Sequence, residues 1–256
     1  MISPLASIHP DARIGAEVEI GPFTTISADV EIGEGSWIGP NVTIMDGARI
    51  GSNCRIFPGA VISAIPQDLK FQGERTTVEI GDRSTIRECV TINRGTKAYG
   101  KTVVGKDCLI MAYVHIAHDC ILGNHVILVN SVALAGHVEI GDYGIISGLS
   151  AVHQFVKIGA HVMIGGGAMV RKDVPPFITA AGEPLAYAGV NSVGLKRRNF
   201  AQEEIHEIQT LYRTMYQSGM NISQAVNQIK ETHPNRPLAE SILSFIEQSD
   251  RGLIRK

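Results

Sequence analysis

The sequence predicts a mainly β protein. A solenoid of stacked parallel strands covers residues 1–176, a connector covers 177–198, and a helical C-terminal subdomain covers 199–256. Three observations lead there. Of the 29 positions spaced six apart from Ile2 to Val170, 26 carry Ile, Leu or Val, the exceptions being Asp68, Glu74 and Ala98. Glycine often follows the aliphatic residue, as at Gly15, Gly33, Gly51, Gly81, Gly105, Gly123 and Gly141. Beyond Phe200 the apolar spacing becomes helical.

The period decides the element. On an α-helix six residues turn the chain by about 600°, which scatters the aliphatic residues over three faces. In extended chain an even step returns to the same face. Each hexad therefore reads as a short strand and a turn, with glycine where the backbone bends. Four residues past each aliphatic residue comes a small or branched one, such as Val18, Thr24, Val30, Ser36, Val42, Ala48 and Cys54. Both sets point inward, and stacked coils bury them at roughly 4.8 Å per coil. Burial of each large aliphatic side chain contributes roughly 1.5–3 kcal/mol.

The remaining elements follow in order. Residues 1–62 are the plainest coils and read as structural. The rhythm fails over 63–78, where Gln67, Asp68 and Lys70 lie, and again over 94–101, so loops leave the solenoid there. After Asp173-Val174-Pro175-Pro176 it stops, and 177–198 reads as irregular. Ile205, Ile208, Leu211, Tyr212 and Met215 then form one helical stripe that Gly219 can end. Asn221 with Gln224 makes a capping-box start for a second helix to about His233. Pro237 suits the first turn of a third helix. This subdomain is expected to cap the open end of the solenoid or to pack on neighbours.

Composition excludes several classes. A net charge of −2 gives no reason to expect nucleic acid or an anionic membrane as partner. No apolar run is long enough to cross a bilayer, and no secretion signal opens the chain. The expectation is a cytoplasmic protein. Aromatic residues are 5% of the chain, which suits a thin prism. Cys54, Cys108 and Cys120 fall at the inward position, no Cys-x-x-Cys pair exists, and the cysteines read as packing residues.

The chemistry concentrates in one stretch. Six of the nine histidines lie between His115 and His161: His115, His118, His125, His137, His153 and His161. Residues 18 apart stack, so His118, Gly136 and Gln154 share one line across adjacent coils. A neutral histidine beside a glycine amide can serve as general base next to an oxyanion donor. Asp119 can orient His118 only where the pair sits at a corner, because adjacent strand residues face opposite ways. Surface decoration and zinc ligation are the competing uses of such a cluster. Lys196-Arg197-Arg198 reads either as a solvated basic face or as a diphosphate contact, for which arginine suits best.

The segments Gln67-Asp68-Leu69-Lys70, His115-Ile116-Ala117-His118-Asp119-Cys120, Leu134-Ala135-Gly136-His137, Ala151-Val152-His153-Gln154-Phe155 and Gly194-Leu195-Lys196-Arg197-Arg198 carry a resemblance. Together with the hexads they resemble the UDP-N-acetylglucosamine O-acyltransferase family of hexapeptide-repeat acyltransferases, over essentially the whole chain. The resemblance implies a left-handed parallel β-helix of nine to ten coils. The hand comes from the resemblance alone, since general crossover rules favour the other.

For function it implies transfer of an (R)-3-hydroxyacyl chain from acyl carrier protein to the 3-hydroxyl of UDP-N-acetylglucosamine, the first step of lipid A biosynthesis. His118 would be the general base, Asp119 its support and the Gly136 amide the oxyanion donor, with no cofactor and no metal. Gln67, Asp68, Lys70, His115, His137, His153 and Gln154 match substrate contacts of the family, and Asn191, Arg197 and Arg198 match positions near the nucleotide phosphates. A homotrimer with clefts between prisms is implied as well.

The position of Gly166 sets acyl length in the family, so a missing side chain implies a longer chain. Simple coil packing is the other reading of Gly165-Gly166-Gly167. Asn93 stands where many members carry histidine, and Val193 where some carry glutamate near the nucleoside. Two rivals remain. An N-acyltransferase relative would carry an additional N-terminal domain, for which hexads starting at Ile2 leave no room. A purely structural or binding solenoid predicts no clustered histidines.

Overall fold

Each hexad folds as a strand of mostly two residues followed by a turn, in a computed structural model that describes residues 1–255. Successive strands go to three different parallel sheets in rotation, and the result is a three-faced parallel β-helix. The first face begins with Ser7–Ile8 and has nine strands, and the second begins with Arg13–Ile14 and has eight. The third begins with Glu19–Ile20 and has ten. Plain coils bring every third hexad into register, as Ile8 with Ile26 and Ile116 with Leu134.

The two loops enter at the corner between the first and second faces. Ile62 pairs with Ile92, and Ile50 with Ile80, so the first loop lengthens its coil by two hexads. Ile80 pairs with Val104, and Ile92 with Ile116, so the second loop adds one hexad. Both insertions are whole multiples of the repeat, which is why the aliphatic rhythm keeps its phase across them. Asp68, Glu74 and Ala98 lie in the loops and form no strand. The expected nine to ten coils accordingly become nine strands on the first face and eight on the second.

The prism interior holds the aliphatic residues and their small partners, from Val18 to Val170. Its few polar side chains bond to corner backbone. Thr24 Oγ1 donates to the Gly39 carbonyl at 2.7 Å and accepts from Val42 N at 3.2 Å. Ser36, Ser84 and Ser150 bond in the same way. Cys54, Cys108 and Cys120 are buried free thiols, and burial pushes Cys108 up to about 11 and Cys120 up to about 12. They are packing groups, too weakly acidic to act as nucleophiles.

The stretch 177–198 is more ordered than its sequence suggests. Ile178–Ala181 adds a parallel strand to the third face, Ala186–Val190 pairs antiparallel to it, and helix α1, Ser192–Arg197, follows. Here a hairpin ends the sheet, and its strands lack the hexad signature because no further coil stacks on them.

Helix α2, Gln202–Gln217, buries Ile205, Ile208, Leu211, Tyr212 and Met215. Helix α3, Ile222–Thr232, starts at the Asn221–Gln224 capping box, and α4, Pro237–Glu247, has Pro237 in its first turn. Tyr212 Oη donates to the Pro176 carbonyl at 2.6 Å, fixing α2 to the end of the prism. No helix among the described residues is long and apolar enough to cross a membrane.

Candidate active site

His118 and Asp119 sit at the corner between the strands His115–Ile116 and Ile121–Leu122. Asp119 has φ +60°, a left-handed conformation. That turn brings two adjacent side chains together, as a strand would not. His118 Nδ1 lies 2.8 Å from Asp119 Oδ2. The carboxylate accepts, so Nδ1 carries the proton and Nε2 keeps its lone pair. Gly136 lies against the ring one coil on. A β-carbon there would stand 2.6 Å from His118 Cε1 and 2.8 Å from Nε2.

Asp119 is completely buried, and the 94–101 loop is what makes this tolerable. Thr96 N donates to Oδ1 at 3.0 Å, Thr96 Oγ1 to Oδ2 at 2.7 Å and Tyr99 N to Oδ1 at 3.3 Å. Burial is the largest single influence on this carboxyl and pushes it up. The Thr96 and His118 hydrogen bonds, with the charge of His137, together outweigh it and hold Asp119 below the usual carboxylate range.

His137 shares the carboxylate, with Nε2 3.7 Å from Asp119 Oδ2. Its ring stacks on Phe155 at 4.5 Å and meets the edge-on rings of Tyr99 and His118 at 5.2 Å. Burial lowers its basicity, and the charges of Asp119 and Asp68 oppose that. Asp68 and Lys70 form a turn in the first loop, where Lys70 N donates to Asp68 Oδ1 at 3.0 Å, and Gln67 is exposed beside them.

His115 lies on the first face with Nδ1 2.7 Å from Thr91 Oγ1, and burial lowers its basicity too. His153 and Gln154 occupy the same corner one coil beyond Gly136. Arg251 reaches back from the C-terminus, its Nη2 3.1 Å from His153 Nδ1.

The six histidines therefore divide. His115, His118, His137 and His153 gather at or beside this corner. His125 and His161 lie at the corner between the second and third faces, in a stack with Tyr143. Asn191 and Arg198 adjoin that second corner, through His161 and Tyr143, and Arg197 lies beside them. With Val193 they line a cleft of about 460 Å³ on the third face, beside Ile145, Met163 and Thr179. Asn191 caps α1: its Oδ1 accepts from Gly194 N at 3.1 Å and its Nδ2 donates to the His161 carbonyl at 2.9 Å. Asn93 is buried and faces the loop, donating to the Ile65 carbonyl at 3.2 Å. Gly166 is exposed at the corner between the third and first faces, with room for a side chain.

Thr91, Thr96, Tyr99, Phe155 and Arg251 escaped the sequence reading. Phe155 was accessible to it, standing one plain coil beyond His137. The threonines were not, since their register depends on loop length.

The donor atoms of His118, Asp119 and His137 lie within 4.8 Å of one another, close enough to consider a metal. Asp119, however, already accepts from Thr96 twice, from Tyr99 and from His118. Its oxygens are spent on holding the ring, and the set fits proton transfer better than ligation.

Both parts of the chain, the prism and the C-terminal region, have matches among known proteins. A family model described as "Udp N-acetylglucosamine O-acyltransferase; Domain 2" matches residues 173–254, and one for bacterial transferase hexapeptides matches 29–64 and 101–136. Two acyl-[acyl-carrier-protein]--UDP-N-acetylglucosamine O-acyltransferases are full-length relatives. That of Aliivibrio salmonicida is 54% identical, with 100% of both chains covered. That of Janthinobacterium sp. is 50% identical over 100% of this chain and 99% of its own. The crystal structure of a UDP-N-acetylglucosamine acyltransferase from Bacteroides fragilis superposes with a TM-score of 0.98 at 52% identity, covering both chains fully. The Francisella novicida enzyme gives 0.97 at 43%, covering 100% of this chain and 94% of that one.

Proposed function

The chain belongs to the UDP-N-acetylglucosamine O-acyltransferase family and is an O-acyltransferase of that class, and from that premise we propose how its residues carry the reaction. The substrates are an (R)-3-hydroxyacyl thioester of acyl carrier protein and UDP-N-acetylglucosamine, and the reaction opens lipid A biosynthesis. His118 Nε2 takes the proton of the sugar 3-hydroxyl as that oxygen attacks the thioester carbonyl. The oxyanion develops beside Gly136, whose N–H is engaged by no other described residue. Collapse breaks the carbon–sulfur bond. The imidazolium returns its proton to the departing thiolate, leaving the 3-O-acyl sugar nucleotide and free carrier protein. No acyl-enzyme, cofactor or metal takes part. The reaction belongs in the cytoplasm, with its carrier protein and nucleotide sugar.

One observation carries this reading: the 2.8 Å contact that leaves His118 Nε2 free, with Gly136 closed against the same ring. Gln67, Asp68, Lys70, His115, His137, His153 and Gln154 would contact substrate around it.

Asn191, Arg197 and Arg198 would meet the diphosphate, yet they lie on the third face, opposite the His118 corner. One substrate can touch both sets only between two copies, and this supports a homotrimer with its sites in the clefts. Sedimentation equilibrium tests the assembly, and a monomer active at assay concentration would refute it.

The decisive experiment follows acyl transfer to UDP-N-acetylglucosamine for wild type and His118→Ala, each with and without chelator. Chelator-resistant turnover that falls by about 10²–10⁴-fold in the variant is expected. Loss on chelation would revive the metal. No wild-type turnover with any acyl length would point to another acceptor.

A further inference from the structure

The corner between the second and third faces carries a second organised array that the proton chemistry does not use. His125, Tyr143, His161 and Phe177 follow one another up the prism, each with φ between 57° and 68°. Their rings stack at 4.5, 4.9 and 5.6 Å, with interplanar angles of 8°, 12° and 16°. Left-handed backbone recurs at the corners of this prism, and at these four it sets aromatic rings in register on successive coils as a continuous column.

Two rungs of this column hold the basic segment at both ends. The His161 carbonyl accepts from Asn191 Nδ2 at 2.9 Å, at the residue that caps α1. The Tyr143 carbonyl accepts from Arg198 Nη2 at 3.2 Å, at the residue that ends α1. The Arg198 guanidinium also lies over the Tyr143 ring, with Cζ 5.0 Å from its centroid. Phe200 closes the assembly edge-on against His161 at 5.1 Å.

We propose that Tyr143 and His161 are positioning residues, a bed that holds Arg198 at the third-face cleft in the orientation that receives a nucleoside diphosphate. The inference rests on the reading of Arg198 as a phosphate contact. A planar guanidinium recognises phosphate through a fixed fork, and a long flexible side chain loses affinity unless that fork is held beforehand. The aromatic face fixes its plane and the carbonyl fixes its rotation. An imidazolium under the arginine would repel it. Burial and the Arg198 charge pull His161 down to about 4, so the ring stays neutral at working pH.

Because the hydrogen bond uses the Tyr143 backbone, only the ring matters among its side-chain atoms. Tyr143→Leu is expected to raise KM for UDP-N-acetylglucosamine, and to weaken binding of UDP alone, about 5- to 30-fold. kcat should change little, and Tyr143→Phe should restore both values. Arg198→Lys, which keeps the charge and loses the plane, should match Tyr143→Leu. In an Arg198→Gln background Tyr143→Leu should add nothing.

Thermal unfolding confirms that each variant is folded, and Arg198→Lys decides the matter should Tyr143→Leu not fold. Wild-type UDP binding in Arg198→Gln would show that the phosphate reading itself is wrong. Weakened binding in Arg198→Gln with wild-type binding in Tyr143→Leu or Arg198→Lys would overturn the bed alone, as would fully additive losses in the double variant.

Discussion

A single methyl group at Gly136 should disable the enzyme without unfolding it. The β-carbon of Gly136→Ala would stand 2.6 Å from His118 Cε1, 2.8 Å from Nε2 and 3.2 Å from Nδ1. Comfortable carbon contacts begin at about 3.5 Å, so the ring must move by about 1 Å. On its far side Nδ1 is held 2.8 Å from a completely buried carboxylate. The ring therefore cannot back away while keeping that bond, and Nε2 swings off the line of attack. Displacements of about 1 Å at a reacting group slow catalysis about 10²-fold, and the expected loss in kcat is about 10²–10³. Turnover at saturating acyl donor measures this. Thermal unfolding checks that the coils remain stacked, because the atoms nearest the new methyl group all belong to the His118 ring. Retention of kcat within about threefold would refute the assignment, since no productive position of His118 is compatible with that methyl group.

Other consequences are as direct. Thr96→Val removes one donor from Asp119, which should lower stability at neutral pH by about 1–3 kcal/mol and reduce kcat, read by urea unfolding and turnover. Asp119 is held below the usual carboxylate range, so its stabilising contribution is present above the ordinary value of about 3.9 and is lost as pH falls through the native one. In Thr96→Val the acid-unfolding midpoint should therefore move to higher pH. His161 has the opposite linkage to a stabilising cation. Between about 6.5 and about 4 the unfolded chain takes up a proton that the native ring refuses, so stability falls on acidification across that window. Unfolding followed against pH should show a shallower fall in His161→Phe. At Gly166 a side chain would meet only Gly148 O at 3.6 Å and Ser147 Cβ at 3.9 Å, so Gly166→Met should fold normally and favour shorter acyl donors. Wild-type preference for a ten-carbon donor by a wide margin, or unchanged preference in the variant, would remove Gly166 from acyl selection.

The solenoid was legible because its physics is one-dimensional. Each aliphatic residue from Ile20 to Ile62 packs on its counterparts in the coils above and below, so composition at a fixed step carries the fold. The hand was not legible, because burial is the same for either hand and only the resemblance supplied it. The hairpin Ile178–Ala181 and Ala186–Val190 was hidden for a related reason: terminal strands without another coil above them have no partner to impose the step. Helices α2 to α4 were clear from their stripes and from the Asn221 and Pro237 starts.

The site was legible only where the plain coil step holds. His118, Gly136 and Gln154 share a line because the coils between them are uninterrupted, and Phe155 under His137 obeys the same step. One coil earlier the loops intervene. Thr91 meets His115, and Thr96 meets Asp119, each across a coil that the second loop has lengthened. Both contacts depend on the length of the 94–101 loop, and the aliphatic frame conceals that length because the insertion is a whole hexad. The concealment has a physical cause. Only an insertion that returns the chain to the same corner with the same inward phase leaves the next coil's core intact, so loops on such a prism are free to vary in chemistry but constrained in net step. Those are the positions where a buried carboxylate can be given donors without disturbing the stack. This accounts for the Asp119 carboxylate, the buried ionised group beside His118, drawing its neutral hydrogen-bond donors from a loop, while the next coil brings His137 to 3.7 Å and Thr102 Oγ1 accepts from the Asp119 backbone N–H at 2.8 Å.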